Sequence, residues 1–154
     1  MLFTYPRACK QQSFEPYMIN RTYLYRAFVG SVNDEIKEII QASSAPVFDV
    51  VYADEQCAGR GRSGRSFFSP RGGLYFSAAY PLEGNEKNIP FLTLAAGLAV
   101  NRALRELSAA ETLIKWPNDI YYKDKKLGGI LIENRLEQGQ VKDSIIGLGL
   151  NINQ

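Results

Sequence analysis

The feature that most constrains the fold is the spacing of short apolar segments, which predicts more strands than helices. Seven runs rich in aromatic and aliphatic residues are each bounded by turn or loop residues; they lie at 23–29, 47–54, 74–80, 112–115, 119–122, 127–134 and 143–152. Several of these runs are adjacent in sequence, as they are in hairpins. The pattern predicts an α+β fold, in which helices pack on a mixed or antiparallel β-sheet.

Two helices are predicted between the strands. The first starts at Ser31 and runs to about residue 42, because its apolar residues recur at helical spacing. Ser31 and Asp34 resemble a capping box at its start. The second helix runs from Asn88 to about Leu107 and is apolar nearly all round. We therefore expect the second helix to be the central buried helix.

The length of 154 residues is enough for one domain with a core, preceded by an N-terminal arm at 1–22. No apolar run approaches the roughly 20 residues needed to span a bilayer, and the N-terminus lacks the apolar centre of a secretory signal. We expect a cytoplasmic protein that does not enter a membrane. The two cysteines, Cys9 and Cys57, are too few for a disulfide framework and form no metal-binding cluster.

The chain contains no histidine, which excludes Ser-His and Cys-His nucleophilic machinery and the commonest zinc ligand. Any catalysis must use Lys, Arg, carboxylates, amides or backbone N–H groups. The net charge is only +2, so the positive charge is concentrated locally. Its densest point is a segment that contains Arg60, Arg62 and Arg65.

That segment, Gln56–Arg65, combines three glycines with three arginines. Glycines allow close approach of the backbone to a ligand, and guanidinium groups suit phosphate or carboxylate oxygens. The residues alone also allow a solvated surface loop or a nucleic-acid-binding Gly/Arg segment. The segment has no GK[ST] ending, so it is not a P-loop.

Two further segments place a lysine beside polar or small residues. Lys115-Trp116-Pro117-Asn118-Asp119 could hold a nucleotide and its Mg²⁺, or it could be a hairpin turn with a packed tryptophan. Lys126 precedes an apolar strand and two glycines, so it could point into a pocket or simply end the preceding turn. Neither segment decides between its alternatives.

The last segment, Gly147–Asn153, has two unlike faces if it is a strand. Gly147, Gly149, Asn151 and Asn153 alternate with Leu148, Leu150 and Ile152. The aliphatic face predicts core packing. The Gly/Asn face leaves space for a ligand cleft, or for a crowded contact between sheet and helix.

The order of these motifs resembles that of biotin protein ligases. SxN, QxxGRGRxGR, FSPxGGLYFS, KWPND, KLGGILIE and GxGxNxN follow one another across residues 25–153. The resemblance implies the fold shared by class II aminoacyl-tRNA synthetases and biotin ligases. It also implies activation of biotin with ATP and Mg²⁺ to biotinyl-5′-AMP, and transfer of biotin to a lysine of a biotin carboxyl carrier protein.

The resemblance also assigns roles to individual residues. The implied biotin-binding residues are Ser31, Asn33, Gln56, Gly59, Arg60, Arg62, Lys126 and Gly129. The implied nucleotide-binding residues are Arg65, Phe67, Lys115, Asn118, Asp119 and Asn151. Arg62 and Lys126 are the implied catalytic groups, and Asp119 is the implied metal ligand. The sequence departs from the family at Val32, where Thr is usual, and at Phe67, where many relatives have Trp.

The family pattern further implies that 23–154 is a catalytic domain lacking its C-terminal part and the small SH3-like domain. No helix-turn-helix precedes it, so we expect no DNA binding, while a homodimer is left open. Three other functions remain open: a ligase for lipoate or another acyl acid, a nucleic-acid-binding module, and a non-catalytic remnant that binds biotin.

Overall fold

A seven-stranded sheet forms the centre of the fold. The computed structural model describes residues 23–42, 50–81, 88–108 and 110–153. Its elements in chain order are β1 (Tyr23–Arg26), α1 (Val32–Ala42), β2 (Val50–Ala53), β3 (Leu74–Pro81), α2 (Ile89–Ser108), β4 (Thr112–Lys115), β5 (Asp119–Tyr122), β6 (Lys125–Glu137) and β7 (Gln140–Leu150). The predicted arm at 1–22 and the predicted strand residues 47–49 lie outside the described residues.

The strand order is β1-β2-β3-β7-β6-β5-β4. β1 and β2 pair in parallel, and all other neighbours are antiparallel. The mixed sheet with two helices confirms the predicted α+β class.

All seven predicted strands are present; the described ends of β2 and β3 differ from the prediction by one residue, and three strands differ by more. β1 ends at Arg26, and Val29 instead forms an isolated bridge with Gln56. β6 and β7 extend further towards each other than predicted, and β7 ends at Leu150. Gln138 and Gly139 both have positive φ, as in tight hairpin turns, so the two strands pair right up to the turn.

The two helices pack on opposite faces of the sheet. α1 covers β2, β3 and β7, where Ile36, Val51, Tyr75 and Ile145 are fully buried. α2 covers β4, β5 and β6 over a second cluster that includes Ile120. Because side chains alternate along a strand, β7 contributes to both sides. The sheet thus separates the α1 face from the α2 face.

The prediction that α2 is a central buried helix is wrong. Gly97 is its one buried residue, packed against Ile114, whereas Phe91, Leu98 and Leu107 are 67%, 58% and 80% exposed. The helix contacts the sheet along one side, and no described element covers its outer side. A helix with an apolar sequence is buried on both sides only if a second element packs against its outer side. Among the described residues, no helix is both long enough and apolar enough to cross a bilayer.

The start of α1 differs from the predicted capping box. The Ser31 carbonyl accepts hydrogen bonds from the backbone N–H groups of Asp34 and Glu35. The Asp34 carboxylate, however, accepts two hydrogen bonds from Arg60 in the β2–β3 loop. The side chain that would complete the capping box is therefore used to attach a loop to α1.

Candidate functional site

A cavity of about 430 Å³ opens on the α1 face of the sheet. Its walls are the start of α1, the β2–β3 loop and the β4–β5 corner, and its floor is formed by β6 and β7. Most of the predicted site residues line it: Ser31, Asn33, Gln56, Arg60, Arg62, Arg65, Phe67, Asn118, Asp119, Lys126 and Gly129. Motifs that are far apart in sequence therefore meet in one place.

Two glycines of β7 allow other side chains of the cavity to lie directly against its floor. A Cβ at Gly147 would overlap the side-chain amide of Asn33, and a Cβ at Gly149 would lie 2.5 Å from Cε1 of Phe67. On the opposite face of β7, Leu148 and Leu150 join the core beneath α2. The predicted division of this strand into a cleft face and a core face is confirmed for residues 147–150.

The Gly/Arg loop is folded back on itself. Phe67 donates a backbone hydrogen bond to the Gly59 carbonyl at 2.8 Å, and Gly61 donates one to the Arg65 carbonyl at 2.7 Å. Gly59 is buried, and a Cβ there would lie 2.5 Å from the Phe67 carbonyl oxygen. Gly59 does not line the cavity. The structure thus gives Gly59 a part in closing the loop rather than in the cavity wall.

Gln56 ties the loop to the start of α1. Its Oε1 accepts a hydrogen bond from the Val32 N–H at 2.9 Å, and its Nε2 donates one to Ser69 Oγ at 2.9 Å. These bonds fix the orientation of the Gln56 amide at the edge of the cavity. The predicted contact of Gln56 with biotin stays a prediction.

The corner between β4 and β5 contains a cis peptide bond between Trp116 and Pro117. Asn118 is fastened to β6, because Ile130 N–H donates to its carbonyl at 2.8 Å and its Nδ2 donates to the Ile130 carbonyl at 2.9 Å. Asn118 Oδ1 accepts a hydrogen bond from Arg62 at 3.3 Å, so the corner also contacts the Gly/Arg loop. The corner is a hairpin turn between two antiparallel strands, as one alternative had it, but Trp116 is 71% exposed, so the prediction that the tryptophan is packed is wrong.

The cationic side chains of the cavity differ in how far they are neutralised. Asp34 binds Arg60 through both of its carboxylate oxygens, at 2.5 and 2.6 Å. Lys126 forms an ion pair with Asp119 at 2.8 Å. In the described part of the chain no carboxylate pairs with Arg62 or Arg65. The uncompensated positive charge of the cavity is therefore on these two arginines.

Two acidic residues near Arg60, Asp34 and Glu133, were not assigned to the site from the sequence, and both have lowered pKa values. The hydrogen bond from Arg60 holds the pKa of Asp34 below its ordinary value. Burial acts to raise the pKa of Glu133, but hydrogen bonds from Asn33 and Lys37 outweigh it and the pKa is again lowered. Both groups are therefore carboxylates at neutral pH. The alternation of β6 offered one signal, because Glu133 shares a face with Gly129.

Two other predicted nucleotide-binding residues lie outside the cavity lining. The Lys115 ammonium is 5.0 Å from the centre of the Tyr121 ring, on the exposed side of β4. Asn151 follows β7, where its N–H donates to the Leu127 carbonyl at 2.6 Å. The Asn151 Oδ1 is buried and has no hydrogen-bond partner among the described residues. Their binding roles stay predictions.

Comparisons with known proteins agree with this geometry. A family model described as the biotin/lipoate A/B protein ligase family matches residues 26–151. The bifunctional ligase/repressor BirA of Bacillus subtilis is 38% identical over 132 residues, which are 85% of this chain and 40% of that protein. BirA of Escherichia coli is 42% identical over 105 residues, or 68% of this chain and 33% of that protein. The chain thus spans less than half the length of these relatives.

Solved structures show the same similarity. The biotin protein ligase of Aquifex aeolicus, in complex with biotin and ATP, superposes with a TM-score of 0.73 at 36% identity, over 86% of this chain and 53% of that chain. A lipoate protein ligase of Thermoplasma acidophilum, at 14% identity and a TM-score of 0.62, shares the fold. The predicted resemblance to biotin protein ligases is confirmed. From the matched motifs, the sheet and the family model together, the chain belongs to the biotin/lipoate A/B protein ligase family.

Proposed function

We propose that this chain carries the biotin-activating site of a biotin protein ligase. The observation that carries the proposal is one cavity that brings together Arg62, Arg65 and Lys126 above a floor to which β7 contributes two glycines. Such a site suits a ligand with a flat, uncharged end and an anionic end. The cavity volume of about 430 Å³ lies within the range of small-molecule pockets, roughly 300–1,000 Å³.

The chemistry requires cations more than it requires a base. The biotin carboxylate attacks the α-phosphorus of ATP, and the bond from this phosphorus to the bridging oxygen of pyrophosphate breaks. Both reactants are anionic, so Arg62 and Lys126 would reduce their repulsion and stabilise the charge on the phosphoryl oxygens. Attack by a carboxylate releases no proton. A site without histidine is therefore adequate for this step.

Mg²⁺ would bind at Asp119. This ion commonly takes one or two protein carboxylates and completes its shell with phosphate oxygens and water. Asp119 lines the cavity and pairs with Lys126, so it lies beside the group proposed to contact the phosphate. Bound there, the ion would supply further neutralisation of the phosphates.

The second half-reaction transfers biotin to a protein. An ε-amino group attacks the carbonyl of biotinyl-5′-AMP, an amide forms, and AMP leaves. The name of one relative indicates which protein carries this amino group. The relative from Paracoccus denitrificans is named biotin--[acetyl-CoA-carboxylase] ligase and is 36% identical over 104 residues. We propose a lysine of a biotin carboxyl carrier protein as the acceptor.

Biotin is favoured over lipoate as the acid. The neighbours at 35–36% identity were solved with biotin, with ATP or with biotinyl-5-AMP, whereas the lipoate ligase shares only the fold. Biotin should therefore raise the melting temperature of the chain, and lipoate should not. Ligand that binds only the native state stabilises it by about 2.7 kcal/mol at a hundredfold excess over Kd.

The deciding experiment mixes the chain with biotin and Mg-ATP and measures pyrophosphate together with biotinyl-5′-AMP. Formation of both with biotin, and of neither with lipoate, is expected. Arg62→Ala is the inactive control, and Arg105→Ala, on the exposed part of α2, is the matched control for loss of an arginine. Neither product from the wild-type chain, with no melting shift by biotin, would refute the proposal.

A further inference from the structure

Arg60 is held by acidic residues to which the family resemblance assigns no role. Its Nη1 and Nη2 donate to the two oxygens of Asp34 on α1, and its Nη2 lies 3.4 Å from Glu133 Oε2 on β6. A guanidinium binds a carboxylate or a phosphate most strongly through two parallel N–H donors on one edge, and an edge that already binds one carboxylate cannot bind a second anion in this way. The edge of Arg60 formed by Nη1 and Nη2 is therefore occupied, and a ligand carboxylate or phosphate could take that edge only by displacing Asp34.

Glu133 joins the same network from the sheet. Its two oxygens accept hydrogen bonds from Asn33 Nδ2 at 2.7 Å and from Lys37 Nζ at 2.9 Å. Asn33 Oδ1 in turn accepts a hydrogen bond from Ser77 on β3. Two carboxylates and two cations thus link the loop, α1 and the sheet at one end of the cavity, and their formal charges cancel.

Arg62 has a different environment. Its one hydrogen bond to a side chain of the described residues is to the neutral amide oxygen of Asn118, at 3.3 Å and exposed to solvent. A hydrogen bond of this length to a neutral acceptor is weak, and an anionic ligand would replace it at little cost. Arg60 and Arg62 are two residues apart, yet one is neutralised and the other is not.

We propose that Asp34 and Glu133 are positioning residues, which hold Arg60 so that the loop stays attached to α1 and presents Arg62 to the anionic ligand. The part that concerns the ligand rests on the proposed function; the attachment of the loop does not. The Arg60 and Asp34 side chains are 35% and 45% exposed, so solvent screens the pair and each ion pair alone is weak. The network is therefore expected to set the loop position rather than to decide whether the chain folds.

Trypsin tests the attachment without any ligand, because the loop itself contains cleavable bonds after Arg62 and Arg65. Asp34→Asn removes the charge that holds Arg60 and keeps the size of the side chain. Glu38→Gln is the matched control, since it removes one carboxylate from the exposed side of the same helix. Both variants should keep the far-ultraviolet circular dichroism of the wild type.

The rate of cleavage after Arg62 and Arg65 should rise roughly threefold to tenfold in Asp34→Asn, the scale of a lost charge-assisted contact at a partly exposed site. It should be unchanged in Glu38→Gln. High salt should bring the wild-type rate towards that of Asp34→Asn, because screening weakens the same pair. Equal rates in Asp34→Asn and Glu38→Gln would overturn the proposal.

Biotin titration then tests whether Arg60 attaches the loop while Arg62 contacts the anionic ligand. If Arg60 acts through its attachment, Arg60→Gln and Asp34→Asn should weaken biotin binding by the same factor, and the double variant should be no weaker than either. If Arg60 itself receives the anion, Asp34→Asn would free it and tighten binding, which would refute our assignment. No biotin binding by the wild-type chain would refute the proposed function alone, since the trypsin result is obtained without ligand.

Discussion

Gly149→Ala is the substitution whose effect the structure predicts most directly. An added Cβ would lie 2.5 Å from Cε1 and 2.9 Å from Cζ of Phe67. Ordinary contact begins at 3.4 Å, so the ring must retreat by about 0.9 Å from Gly149. Phe67 lines the cavity and its ring packs edge-on against Tyr75, with centroids 6.4 Å apart. The retreat therefore displaces the ring within the cavity wall and alters its packing against Tyr75.

The substitution should lower the stability of the fold only slightly and should lower the affinity for ATP more. An extra methyl group in a packed site costs about 1–3 kcal/mol. Replacing Gly by Ala at a φ that Ala accepts returns about 0.4–1 kcal/mol through the unfolded chain, and Gly149 is not among the residues with positive φ. We expect a net loss of stability of about 1 kcal/mol. Because Phe67 is predicted to border the nucleotide, affinity for ATP should fall about tenfold, which corresponds to about 1.4 kcal/mol.

The assay is the dependence of pyrophosphate release on ATP concentration, with melting temperatures recorded in parallel. Gly30→Ala is the control, since a Cβ there has no atom within 4 Å. Phe67→Leu in the Gly149→Ala background should recover part of the affinity, because the smaller side chain relieves the overlap. A wild-type KM for ATP in Gly149→Ala, or an equal rise in Gly30→Ala, would refute the reasoning.

Three other predictions concern the cations, the loop and the acidic network. Lys126→Ala should slow pyrophosphate release by about 10²- to 10³-fold without unfolding the chain, because one contact to the transition state is lost. Lys125→Ala should leave the rate of release unchanged. A wild-type rate in Lys126→Ala would show that Lys126 is an ordinary turn residue. Amide exchange across 58–67 should slow when biotin binds, because the glycine-rich segment gains a partner for its arginines; strong protection without biotin as well would exclude gating by this loop. The pKa values of Asp34 and Glu133 are lowered by folding, so the stability that they contribute is present above their ordinary values of 3.8 and 4.5 and is lost as the pH falls through the lowered values. Because Glu133 is present in both proteins, the melting temperature of the wild type should fall more steeply than that of Asp34→Asn only below about pH 3.8, and parallel curves would contradict this.

The strands could be predicted because their signal is local. Alternation and turn residues within ten positions locate β3, β4 and β5 to within one residue. The burial of α2 could not be predicted in the same way. An apolar side chain such as Phe91 is buried only if another element covers it, and the sequence of the helix carries no information on which elements do so. The apolar sequence of α2 therefore predicts a helix that could be buried, but it does not predict which elements cover the helix.

Residues of the cavity could be predicted where they belong to a local motif, and could not be predicted where they are recognised only by contacts with residues far away in sequence. Arg62 and Lys126 were found because each belongs to a motif whose residue order is specific. Asp34 and Glu133 were missed because they meet Arg60 across 26 and 73 positions of sequence, with no local pattern to mark the contact. Asp34 was instead interpreted from its neighbours as a helix cap. Side chains with two plausible local roles can be assigned only when their distant partners are known.

The two glycines of β7 set a limit on how the site can be redesigned for a bulkier acid. No smaller residue exists, so removing side-chain atoms cannot deepen the floor at Gly147 and Gly149. Replacing Leu148 or Leu150 would hollow the core beneath α2 instead. Additional room can come only from other lining residues, among which Phe67 in the β2–β3 loop and Leu131 on β6 are large and apolar. A library aimed at larger acids should therefore vary these two positions first and leave the strand untouched.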